Sequence, residues 1–253
     1  MAGWPAALLW DVDGTLAETE LEGHRLAFNG AFAEAGLPWQ WEPAAYLELL
    51  RISGGRERIR QFLIEAEGLE PDPERVEKLQ AAKQRHYRAL LAAGALQLRP
   101  GVERLLRDAA AEGVRQVIVT TSGRSAVEGL LERLLPDHPN LLEFWVCGED
   151  VPRKKPDPAA YQQALAQLGL PAAAVLAVED SGNGVAAAVG AGLRVLVTRS
   201  GSSAAESDQV FAAATAELDQ LGEPGRPCVV QRGPACPEGW VTLSYLQQLG
   251  FAA

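Results

Sequence analysis

Ala6-Ala7-Leu8-Leu9-Trp10-Asp11-Val12-Asp13-Gly14 is the stretch on which the fold turns. Five consecutive apolar residues without alternation suit a strand buried on both faces, as in a parallel sheet. The chain then changes abruptly to two carboxylates one residue apart, followed by glycine. In an open α/β sheet the carboxyl ends of the strands form the edge where ligands bind, so the polar cluster falls where chemistry is expected. Similar short runs recur at Val114–Thr120, Phe144–Cys147, Val175–Val178 and Arg194–Val197, each flanked by helical periodicity. This alternation predicts an α/β fold with a parallel-sheet, Rossmann-like core and right-handed crossovers.

Local signals place the helices. Val102, Leu105, Leu106, Ala109 and Ala110 form one apolar stripe that Gly113 closes. Asp157-Pro158 reads as an N-cap followed by proline in the first helical position, with Gly169 as the stop. Thr242 caps a terminal helix within Trp240–Leu249, while Gly201–Ser207 and Gly222–Pro227 read as loops. From Ala17 to about Leu96 only helical periodicity is found, its last helix marked by Val76, Leu79, Tyr87, Leu90 and Leu91. The expected organisation is therefore a core of residues 1–16 plus 97–253, with a helical cap at 17–96 above the acidic tip of the first strand.

The chain of 253 residues carries a formal net charge of −10, which argues against an extended nucleic-acid footprint. Cys147, Cys228 and Cys236 show no Cys-x-x-Cys spacing and are expected to be reduced thiols rather than a disulfide or zinc set. The first ten residues lack a signal-peptide pattern, and no apolar run is long enough to span a membrane. The expectation is a cytoplasmic monomer without membrane or nucleic-acid partners.

The strand ends carry a coherent set: Asp11 and Asp13 after the first, Thr121 and Ser122 after the second, Lys155 after the third, Glu179 and Asp180 after the fourth. A carboxylate such as Asp11 is anionic near neutral pH and attacks phosphorus without prior deprotonation. It needs a cation to overcome repulsion from a phosphate dianion, and Asp180 supplies a second hard oxygen suited to Mg²⁺. Asp13 is placed to protonate a leaving alkoxide and then to activate water. Thr121 and the Ser122 backbone N–H are expected to hold phosphoryl oxygens, and Lys155 to neutralise charge.

Asp11-Val12-Asp13-Gly14-Thr15-Leu16, Thr121, Lys155-Pro156 and Glu179-Asp180 together resemble the four motifs of haloacid-dehalogenase-like hydrolases. The resemblance implies Asp11 as nucleophile and Asp13 as acid/base. It also implies Mg²⁺ held by the Asp11 carboxylate, the Asp13 backbone carbonyl and Asp180, and a mobile helical cap. Asp13–Glu20, Gly23-His24-Arg25, Ala27-Phe28-Asn29 and Gly54–Ile59 are further similar to CbbY-type sugar phosphatases, which are associated with the Calvin cycle. That similarity implies a small phosphorylated sugar as substrate, specifically xylulose-1,5-bisphosphate, a Rubisco misfire product and inhibitor. A β-phosphoglucomutase-like phosphotransferase would use the same nucleophile, metal and cap, differing in whether water or a sugar hydroxyl receives the phosphoryl group.

Arg51–Arg60 has a physical logic of its own. Gly54 and Gly55 expose backbone N–H groups beside Arg56 and Arg58 in an otherwise acidic chain, which suits a grip on a second phosphate. A solvated basic helix face is the competing reading. Glu18 either accepts a sugar hydroxyl or is an exposed hinge glutamate. His24 is assigned a structural role and left out of catalysis, and Trp39, Trp41 and Tyr46 are expected to pack the cap.

Overall fold

In the computed structural model, which describes residues 3–251, seven strands follow in chain order. They are β1 Ala7–Trp10, β2 Arg115–Val119, β3 Phe144–Val146, β4 Val175–Glu179, β5 Arg194–Thr198, β6 Ala216–Leu218 and β7 Val230–Arg232. Their spatial order is β3-β2-β1-β4-β5-β6-β7, parallel throughout except for β7, which runs antiparallel to β6. The Rossmann-like core read from the apolar runs is thus present, with an antiparallel edge added. β6 and β7 escaped the sequence reading because each has three residues and carries a charged one, leaving no apolar run to detect.

β1 is fully buried because both of its faces are covered. Leu8 and Trp10 face one hydrophobic layer with Leu105, Leu106, Val127, Leu130 and Tyr245. Ala7 and Leu9 face the opposite layer with Tyr161, Ala164, Val185 and Ala188. Between β1 and β2 come α1 Leu26–Glu34, α2 Pro43–Leu49, α3 Gly55–Glu67 and α4 Pro73–Ala92, preceded by a π-type turn at Glu20–Arg25. The remaining helices are α5 Val102–Ala111, α6 Arg124–Leu134, α7 His138–Leu141, α8 Ala159–Leu168, α9 Gly182–Gly190 and α10 Leu243–Gln248. α8 begins one residue later than the Asp157-Pro158 reading: Pro158 is the N-cap, and Asp157 Oδ1 accepts the Ala159 N–H at 3.0 Å. Gly169 ends that helix in the left-handed region at φ 64°.

The helices between β1 and α5 bury an apolar cluster of their own, formed by Phe28, Phe32, Trp41, Tyr46, Ile59, Leu63, Val76 and Leu79, with Trp39 packed against it. Two short linkers join this helical insertion to the sheet and pair with each other. Ala17 bridges Leu98 in antiparallel sense, and the Arg99 N–H donates to Leu16 O at 2.8 Å. Among the described residues no helix is long and apolar enough to cross a membrane.

Candidate active site

β1 lies between β2 and β4, and the chain visits β2 and β3 on one side before crossing back to β4 on the other. Crossovers that depart in opposite directions leave a crevice at the carboxyl ends of β1 and β4. Asp11 and Asp13 follow β1, Glu179 ends β4 and Asp180 follows it, so all four carboxylates border this crevice.

Lys155 organises its floor. Its ammonium donates to Asp11 Oδ1 at 2.7 Å, Glu179 Oε1 at 2.6 Å and the Val119 carbonyl at 2.7 Å, using all three hydrogens. Tyr161 Oη also donates to Glu179 Oε1, while Glu179 Oε2 is buried without a partner. The Glu179 carboxylate fills the space beside Gly184, where any β-carbon would overlap it. Oxygens of Asp11, Glu179 and Asp180 lie within 4.8 Å of one another, and all three residues are buried.

Burial pushes the Asp11 carboxyl up, to about 8, with Lys155 opposing and the charges of Glu179 and Asp13 adding to the rise. Asp180 is raised well above its ordinary value by burial and by the charges of Asp11 and Glu179. Lys155 is raised in turn, because Asp11 and Glu179 outweigh the effect of its own burial. The negative charge here exceeds what one lysine compensates. An unpartnered buried carboxylate oxygen and an all-oxygen donor set fit a hard divalent cation. Gly14, at φ 83°, allows the close approach, since a β-carbon there would overlap Asp180 Oδ2.

Asp13 faces a different set of partners. Its Oδ1 accepts from Thr19 Oγ1 at 2.5 Å and lies 2.8 Å from His24 Nε2, and its Oδ2 accepts from Ser122 Oγ. Burial alone would raise this carboxyl, but His24 and the hydrogen bonds from Ser122 and Thr19 outweigh it and hold Asp13 well below the usual range. Behind His24, Lys83 Nζ lies 2.9 Å from Nδ1. An ammonium only donates, which assigns the His24 proton to Nε2, pointing at Asp13.

His24, read from the sequence as structural and left out of catalysis, touches the candidate acid/base directly. Lys83 was missed as well. Its signal was present: Leu79, Lys83, Tyr87 and Leu91 share the i, i+4 spacing of one helix face, which places a lysine among apolar residues. The Asp13 side chain is occupied by these donors, so the carboxylate triple contains Glu179 in its place. Only the Asp13 backbone carbonyl is left for the ligand role that the resemblance implies.

A polar cavity of about 290 Å³ opens beside Asp13, lined on the core side by Thr121, Ser122 and Lys154 and on the insertion side by Gly54, Gly55, Arg56 and Arg58. The Ser122 backbone N–H, expected to face a phosphoryl oxygen, instead donates to Thr120 Oγ1 at 3.1 Å. Arg58 is buried and directs its donors to Leu49 O, Tyr46 Oη and Ile52 O at 3.1, 2.9 and 3.2 Å. Arg56 pairs with Glu77 at 2.5 Å. Lys154, not singled out from sequence, pairs with Glu57 of α3 at 2.6 Å across the cavity mouth. Glu18 stands outside the cavity, half-exposed and 3.1 Å from Arg99 Nε.

The haloacid dehalogenase-like hydrolase family pattern matches residues 5–192. A plasmid-borne CbbY protein of Cupriavidus necator is 39% identical over 247 residues, covering 95% of each chain. The crystal structure of CbbY from Rhodobacter sphaeroides in complex with phosphate superposes with a TM-score of 0.80 at 38% identity, covering 87% of this chain and 96% of that one. A mutant of the same protein, in complex with xylulose-(1,5)bisphosphate, matches with the same score, identity and coverage. By motif, fold and similarity across most of its length, the chain belongs to the haloacid dehalogenase-like hydrolases and, within them, to the CbbY group.

Proposed function

We propose that this enzyme is a Mg²⁺-dependent phosphatase of a small sugar bisphosphate, most closely fitted to xylulose-1,5-bisphosphate, working through a phosphoryl-Asp11 intermediate. The observation that carries the reading is the cavity itself. Asp13, Thr121, Ser122 and Lys154 stand on its core side, Gly54, Gly55, Arg56, Arg58 and Lys83 on its insertion side, and its volume of about 290 Å³ suits a small metabolite. The xylulose-(1,5)bisphosphate complex of the 38%-identical CbbY supports the choice of substrate.

Asp11, Glu179 and Asp180, with the Asp13 backbone carbonyl, would hold the cation. When bound, it supplies the charge neutralisation that lets an anionic nucleophile approach a phosphate dianion. Asp11 attacks phosphorus, the alkoxide leaves, and an acyl-phosphate forms on Asp11. Lys155 holds the nucleophilic carboxylate in place and offsets charge on the transferring group, and Thr121 contacts its oxygens. Asp13 protonates the departing oxygen and then takes a proton from the water that cleaves the acyl-phosphate. Its three donors favour the ionised form, so Asp13 must gain its proton as the Thr19 and His24 contacts loosen. Both of those residues lie beyond the first linker, so movement of residues 17–96 as a cap would loosen them.

Gly54, Gly55, Arg56 and Arg58, with Lys154, would receive the second phosphate. A substrate panel tests the reading. Phosphate release should be fastest from xylulose-1,5-bisphosphate, slower from ribulose-1,5-bisphosphate and poor from p-nitrophenyl phosphate, and EDTA should abolish all three. Conversion of glucose 1-phosphate to glucose 6-phosphate with a bisphosphate activator, without free phosphate, would establish the mutase reading in its place.

A further inference from the structure

Ser200 is a buried hydroxyl that the four motifs do not include. Its Oγ lies 2.6 Å from Asp180 Oδ2 and accepts the Ser203 N–H at 3.1 Å, with the Ser202 and Ser203 hydroxyls at 2.8 and 3.2 Å. A carboxylate oxygen accepts and does not donate, so the one Ser200 proton is directed at Asp180. The Ser200 N–H donates in turn to Ser203 Oγ at 2.9 Å, which locks the turn on itself.

The segment entering this turn is held by both linkers of the helical insertion. Arg99, in the second linker and buried, donates to Thr198 O and Arg199 O at 2.7 Å and to Gly14 O at 2.5 Å. Glu18, in the first linker, pairs with Arg99 Nε at 3.1 Å and lies 3.4 Å from Gly201 N. A β-carbon on Gly14 would overlap Asp180 Oδ2 and crowd Ser200 Oγ, so the β1 loop closes against the same contact.

We propose that residues 198–203 form a positioning element: Ser200 sets the orientation of the Asp180 carboxylate toward the cation, and Glu18 and Arg99 tie that orientation to the linkers of the insertion. Ser200 acts through Asp180 and is a positioning residue. The inference rests on the metal reading given above. It assigns Glu18, read from sequence as either a sugar contact or an exposed hinge glutamate, to the path between insertion and metal site.

Outer partners of metal ligands typically change metal affinity by about 10- to 100-fold when removed. Thermal unfolding against Mg²⁺ concentration reads this without turnover. Wild type should gain Tm as Mg²⁺ is added. Ser200→Ala should need about 10- to 100-fold more Mg²⁺ for the same gain, with a metal-free Tm near wild type. Glu18→Gln, which alters no atom of the carboxylate triple, should shift the Mg²⁺ midpoint in the same direction by less. An unchanged midpoint in Ser200→Ala overturns the role of Ser200, and an unchanged midpoint in Glu18→Gln overturns the coupling. A wild type that ignores Mg²⁺ overturns the underlying metal reading instead. Should Ser200→Ala not fold, Ser200→Cys keeps a weak donor and should fall between, a wild-type midpoint there being equally contrary.

Discussion

Asp11 is held in a fold that resists its charge, because it is buried beside Glu179 and Asp13 with Lys155 as its one direct cation among the described residues. Asp11→Asn should abolish phosphate release, since an amide is a poor nucleophile, while circular dichroism shows an unchanged fold. The same substitution reports on the electrostatics. A carboxyl raised from 3.8 to about 8 stabilises the fold most below its unfolded value and loses that contribution as pH rises toward the folded one. In EDTA, the Tm of wild type relative to Asp11→Asn should therefore fall from pH 4 to 8; a difference that grows in favour of wild type would contradict this. Asp11, Asp13, Lys155 and Asp180, all singled out from sequence, come together at this crevice: the three carboxylates follow the ends of β1 and β4, and Lys155 reaches in from the loop after β3. Glu179 was visible as a motif residue, but its place in the carboxylate triple required coordinates. His24 and Ser200 were not legible, because each acts only through a residue from another segment, and Lys83 showed only as a lysine on an apolar helix face whose partner required coordinates.

At the scale of elements, α4 and the π-type turn meet behind Asp13, and the contact costs stability. Burial lowers Lys83 from 10.5 to about 8, so at neutral pH the fold carries an unfavourable charge worth about 3 kcal/mol. Lys83→Met should accordingly raise Tm by several degrees, at roughly 2–4 °C per kcal/mol for a chain of this size. Turnover should fall, because nothing then fixes the His24 proton toward Asp13. The penalty is complete below the folded value and vanishes above the unfolded one, so the gain in Tm should shrink as pH rises from 8 to 10.5. A destabilised variant at pH 7 would show instead that the His24 contact outweighs the burial. Helices and central strands were readable at this scale because periodicity and caps are local, as with Thr242, whose side chain accepts the Tyr245 N–H at 3.1 Å. β6 and β7 were not, because their pairing is set by β5 and the edge of the sheet rather than by their own residues.

For the whole molecule, sheet and insertion are two apolar bodies that meet over a polar cavity, and selectivity is expected from the groups at the cavity mouth. Arg58 has already committed donors to Leu49, Tyr46 and Ile52, which makes Lys154 the freer cation once it leaves Glu57. Lys154→Ala should lower kcat/KM for a 1,5-bisphosphate by about 10- to 100-fold, the loss of one charged hydrogen bond, and leave p-nitrophenyl phosphate nearly unchanged. Equal losses on both substrates would place Lys154 in closure of the insertion rather than in phosphate recognition. The most direct test of the whole account is rapid-quench labelling with ³²P-labelled xylulose-1,5-bisphosphate and Mg²⁺, followed by peptide mapping. The account predicts a transient, hydroxylamine-sensitive label on Asp11 that forms and decays within a turnover, absent in Asp11→Asn and in EDTA. Turnover with no label on the protein, or with the label on another residue, would contradict it.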